Sequence, residues 1–99
     1  METEIERLVP DSKLLRQEAG RWLKQLRTER NLTQRDLADR VGLRYYTFIS
    51  QIEAGQGRIP ADQFKAWADA LGMEPAAFAK TLMKYYDPVT FSLLFPGEA

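Results

Sequence analysis

Asn31–Pro60, NLTQRDLADRVGLRYYTFISQIEAGQGRIP, is the stretch around which the rest of the chain is organised. Thr33 suits a helix N-cap, because its hydroxyl accepts from backbone N–H groups of the following turn. Leu37, Ala38 and Val41 then line the inner face of a helix of about two and a half turns. Gly42 stops that helix, since glycine takes the left-handed conformation of a C-terminal turn without steric cost. A second helix is predicted to begin near Tyr45–Thr47 and run into Gly55, with Ile49, Ile52 and Phe48 as its apolar set. Tyr46, Thr47, Ser50, Gln51 and Ala54 are left facing outward. A face with hydrogen-bonding groups and almost no charge is odd for an ordinary surface helix, but it suits the edges of base pairs.

Working outward, L-x-x-L-R (Leu23–Arg27), L-T-Q-x-x-L-A (Leu32–Ala38), I-S-Q-I-E-x-G (Ile49–Gly55), Pro60 and A-x-A-L-G (Ala68–Gly72) follow in order. Together they resemble the Xre/Cro/phage-repressor family of helix-turn-helix DNA-binding proteins, over about Arg21–Phe78. The resemblance implies an all-α, five-helix lambda-repressor-like domain. It also implies a partly buried ion pair between Arg27 and Glu53, a phosphate contact at Gln34 that can brace the recognition helix, and base reading by Gln51. One departure stands: between Gly42 and Ile49 the chain is one residue longer than the family pattern, which alters the turn or the start of the recognition helix.

Composition narrows the function classes. The 99 residues allow one domain with a modest core. There is no cysteine and no histidine, so disulfides, thiolate metal sites and the usual general base are excluded. No catalytic residue, metal or cofactor is expected. The amino-terminal METEIERLVPDSK has no signal-peptide pattern, and no apolar run approaches a membrane span. A cytoplasmic protein, associated with the nucleoid when bound to DNA, is the expectation. Net charge is zero, but residues 21–58 hold eight basic and four acidic side chains, a net of +4, between flanks of −2 each. The positive segment is the one that would meet phosphate.

Residues 1–11 form a charged amino-terminal arm, either a frayed terminus or a segment that touches DNA or a partner. Asp11 or Ser12 caps a long helix reaching about Arg30, with Leu15, Ala19, Trp22 or Leu23, and Leu26 as its stripe. Gly20 leaves open a break into two helices. Arg35 beside Gln34 is a second phosphate ligand or a solvated arginine. Tyr46 and Thr47 sit where a recognition helix enters the groove, Thr47 toward a thymine methyl. Arg44 and Tyr45 are read as backbone contacts, with the alternative that one of the two tyrosines packs on the core. Phe48 either plugs the core or offers an apolar edge to a base. Arg58, in the Gly55–Pro60 loop, is placed to hold phosphate or is simply solvated.

Ala61–Leu71 is predicted to bury Phe64, Trp67, Ala68 and Leu71, and Pro75 to open a last helix carrying Phe78, Leu82 and Tyr85 or Tyr86. The domain thus spans residues 12–86. Beyond it, residues 87–99 form an apolar tail whose Val89, Phe91, Leu93, Leu94 and Phe95 are β-branched or aromatic for the most part. The tail is expected to dimerise, so that paired recognition helices read half-sites about 34 Å apart; folding back onto the domain is the rival. The reading is a sequence-specific transcriptional regulator binding double-stranded DNA as a homodimer. Base readout falls to Tyr46, Thr47 and Gln51, and phosphate contact to Gln34, Arg35, Arg44, Tyr45 and Arg58. The alternatives are an antitoxin-type autoregulator that engages a toxin through its tail, and an interaction module without DNA binding.

Overall fold

The computed structural model describes residues 11–98, which form helices joined by turns and contain no strand. Of the arm read at residues 1–11, residues 1–10 lie outside them. Among the described residues six α-helices follow in order: α1 (Ser12–Glu29), α2 (Gln34–Val41), α3 (Thr47–Glu53), α4 (Phe64–Ala70), α5 (Pro75–Tyr86) and α6 (Pro88–Leu94), with a short 3-10 turn at Ala61–Gln63 leading into α4. The first five make the expected domain. The sixth is formed by the apolar tail.

Each start has a local cause. The Asp11 carboxylate accepts from the N–H groups of Lys13 and Leu14 at 3.0 and 3.3 Å, opening α1. Glu74 does the same for Ala76 and Ala77, with Pro75 in the first turn of α5, where a missing N–H costs nothing. Thr33 caps α2 and Gly42 closes it at φ 89°. Pro88 cannot continue α5 as a regular helix but can begin α6.

α1 runs unbroken through Gly20. A Cβ at that position would lie 2.7 Å from the Ile52 carbonyl oxygen and equally close to the Glu53 carbonyl carbon. The glycine therefore weakens α1 locally but lets the end of α3 cross it at backbone contact.

The core is closed by Leu23, Leu37, Ile49, Ile59, Trp67, Leu71, Phe78 and Leu82, all fully buried. Each contributes roughly 1.5–3 kcal/mol of burial before chain entropy is charged against it. Of the two candidates on α1, Leu23 enters this core, while Trp22 lies on its margin against Phe78 and Tyr85, with ring centroids 5.6 and 6.3 Å apart. On α5 it is Tyr86 that is buried, its hydroxyl accepting from the Ile59 N–H at 3.2 Å. Burial is the main cause pushing the Tyr86 phenol above its ordinary pKa.

α6 turns back along α5 through Phe91, which is 4% exposed, while Val89, Leu93 and Leu94 on its other side remain in solvent. A β-branched and aromatic run thus becomes a helix, because Pro88 presets its first turn, and Lys84 of α5 lies over the Phe91 ring at 6.0 Å. Among the described residues no helix is long and apolar enough to cross a membrane.

Candidate nucleic-acid interface

α2 is fixed at both of its ends, and the turn at its far end leads into α3. The Thr33 hydroxyl accepts from the Asp36 N–H at 3.0 Å, and the Asp36 carboxylate accepts from the Thr33 N–H at 2.9 Å. The T-x-x-D spacing is the signal in the sequence for this reciprocal box, beyond the single cap expected of Thr33. The N–H donated by Thr33, then its hydroxyl, hold the Asp36 carboxyl below its ordinary pKa. At the far end Gly42 and Leu43 donate back to Ala38 at 2.9 and 2.8 Å, turning the chain toward α3.

α3 buries Ile49, Ile52 and Glu53. Its outward side carries Thr47, Gln51 and Ala54 in solvent, with Ser50 partly covered and donating to the Thr47 carbonyl at 2.9 Å. No charge lies on that side. Phe48 does not enter the core: its side faces water at 48% exposure.

The back of α3 is fastened to α1 by a buried ion pair. Arg27 donates through Nε to Glu53 Oε2 at 2.7 Å and through Nη2 to Glu53 Oε1 at 3.0 Å, with Nη1 on the Leu32 carbonyl at 2.8 Å. Its donation to Glu53 is the largest influence on the guanidinium and raises its pKa further. Gln34 adds a third strut, its Nε2 donating to Glu53 Oε1 at 3.1 Å. The Gln34 side chain is thus spent on α3, while its backbone opens the first turn of α2.

The basic segment divides by use. Arg27 is buried. Arg30 donates to the Leu71 carbonyl and Arg40 to the Ala70 carbonyl, both at the end of α4, where cations meet the negative end of a helix. Arg35 and Arg44 make no ion pair among the described residues. Each lies over a tyrosine: Arg35 over Tyr46 at 4.8 Å and Arg44 over Tyr45 at 5.6 Å from the ring centre. Both tyrosines are exposed, at 40% and 55%. The two stacked pairs flank the start of α3, and neither ring packs on the core.

Arg58 has another employment. Its Nη2 donates to the Asp87 carboxylate at 2.8 Å, its Nη1 to the Tyr86 carbonyl at 3.4 Å, and its guanidinium lies 4.6 Å from the centre of the Tyr86 ring. Sequence reasoning placed this arginine beside phosphate and had no means of pairing it with a residue 29 positions away. Next to it, a pocket opens between Phe48, Leu43, Ile52 and Pro60.

The helix-turn-helix family model matches residues 23–78, more than half of the chain and inclusive of α2, the turn and α3. The chain belongs to the helix-turn-helix family of the Xre/Cro kind, and it is a DNA-binding regulator of that class. No curated protein matches it.

Proposed function

We propose that the chain is a sequence-specific transcriptional regulator that lays α3 in the major groove of a two-fold operator. The observation that carries this reading is the uncharged, hydrogen-bonding outward side of α3, flanked at its start by Arg35 and Arg44 without carboxylate partners among the described residues. Tyr46, Thr47 and Gln51 read bases, Gln51 by bonding adenine N6 and N7 together. The backbone at Gln34 with Arg35, Arg44, Tyr45 and Arg58 holds phosphates, which orient the protein without specifying sequence. Arg27 and Glu53 keep α3 at its angle and touch no DNA. The protein works in the cytoplasm, at the nucleoid when bound.

The same reading makes the active species a homodimer joined through Val89, Leu93 and Leu94 of α6, since a patch of such side chains is costly in water. Leu93, at 77% exposure, is the place to test it. Leu93→Glu should convert a dimer to a monomer in analytical ultracentrifugation. A wild-type monomer at all concentrations would instead direct attention to a second protein on α6, as in the antitoxin reading.

The deciding experiment is fluorescence anisotropy on the protein's own upstream DNA and on scrambled DNA across a salt series. Preference for the native sequence, with affinity falling steeply in salt, is the expected result. Gln51→Ala should then cost about 1–3 kcal/mol on the native site and relax its preference at one base pair. Equal binding to both DNAs defeats the specific-regulator reading.

A further inference from the structure

We infer that Phe48 and the pocket beside it receive the C5-methyl group of a thymine, so that Phe48 and Gln51 together read an A·T base pair. This rests on the proposed docking of α3 in the major groove and adds to it a residue and a ligand group.

Phe48 is the one aromatic side chain on α3, and it is spent neither on the core nor on a ring pair: it stands outside the buried cluster, nearly half exposed. Phe48 stands on a seven-residue helix whose other outward groups are polar. Its ring forms one wall of a pocket of about 280 Å³, closed on its apolar sides by Leu43, Ile52 and Pro60 and edged by Gln51 and Arg58. That is below the roughly 300 Å³ at which sites for drug-sized ligands begin. The mouth lies on the flank of α3 shared by Phe48 and Gln51, which are three residues apart and therefore neighbours along the helix surface.

Of all the groups that base pairs expose in the major groove, the thymine C5-methyl is the apolar one. An apolar pocket edged by a base-reading glutamine therefore has one chemical match there. If Gln51 bonds adenine through N6 and N7, the thymine paired with it presents O4 and its methyl on the same groove edge, within the same footprint.

The test uses duplexes enriched by the protein from a random-sequence library, with each thymine replaced singly by uracil. That exchange removes the methyl and leaves every hydrogen bond intact. Wild-type protein should lose affinity about fourfold, the worth of one buried methyl, at one or two thymines per half-site. Phe48→Ala should bind more weakly and be indifferent to uracil at those same positions, while Phe48→Leu should keep part of the sensitivity. Circular dichroism of each variant checks the fold. Should Phe48→Ala lose its helices, the wild-type scan and Phe48→Leu still decide. Indifference of the wild type to uracil at every position overturns the inference, as does a Phe48→Ala protein that remains fully sensitive. A library that yields no shared sequence defeats the DNA-reading proposal itself, and this inference with it.

Discussion

Asp87 occupies the N-cap position of α6 yet caps nothing: its carboxylate is turned 2.8 Å from Arg58, in the loop that follows the recognition helix. A carboxylate and a DNA phosphate would compete for that guanidinium. An exposed pair of this kind is worth up to about 1 kcal/mol, so Asp87→Asn should raise DNA affinity by up to about fivefold at low salt. Arg58→Ala should reduce the slope of log affinity against log salt by about 0.9, as expected when one fewer phosphate is neutralised. Both follow from anisotropy titrations at four or five salt concentrations. Unchanged affinity in Asp87→Asn would mean that Arg58 makes no phosphate contact.

Glu53 and Arg27 are each less than a tenth exposed, so removing one strands the other's charge. Glu53→Ala should lower unfolding free energy by about 3–5 kcal/mol in urea titrations. The double variant Arg27→Met, Glu53→Leu should recover most of that stability, since two apolar side chains leave no buried charge. A double variant as unstable as the single would show that the pair supplies more than charge balance.

Gly20→Ala sets two effects against each other. Helix propensity favours alanine by about 1 kcal/mol, but the new methyl meets the backbone at Ile52 and Glu53, which cannot rotate aside as a side chain would. The steric cost, roughly 1–3 kcal/mol for overpacking, should win. The variant should melt lower than wild type, and a higher melting temperature would refute the close crossing of α1 and α3.

The Asp36 carboxyl titrates below its unfolded value, first because it accepts from the Thr33 N–H. A lowered folded-state pKa means that the folded protein holds its proton less well than the unfolded chain. The stabilisation is therefore complete above the unfolded pKa of about 3.9 and disappears as pH falls through the folded value. Wild type should exceed Asp36→Asn in stability at pH 6, and the gap should close in the acid range below about pH 4. A gap constant with pH would show that the carboxylate's charge plays no part in the cap. Thr33→Ala should cost about 1 kcal/mol at pH 6.

The local signals in the sequence were strong where the chemistry is local. Thr33, Gly42, Asp11 and Pro75 act within one turn of where they stand, and the helical spacing of Leu37, Ala38 and Val41, and of Ile49 and Ile52, already states which side of α2 and α3 faces inward. Those positions, with the motif order from Leu23 to Gly72, determined the helix-turn-helix class. They also determined that the outward side of α3 would be uncharged, because that side is whatever the buried stripe leaves over.

What the tertiary structure alone decided concerns residues whose partners are distant or whose environment depends on several elements at once. Phe48 reads equally well as core or surface from its neighbours, and only the packing of Ile49 and Ile52 against the core leaves it no room inside. Gly20 looked like a weak point in a helix until the carbonyls at the end of α3 appeared against it. Eight basic residues look alike in a charge count, yet Arg27, Arg30, Arg40 and Arg58 are each taken up by carbonyls or carboxylates that come from 5 to 41 positions away. Charge is a property of the side chain and is therefore written in the sequence. Whether that charge is available to a phosphate depends on which acceptors the fold brings beside it.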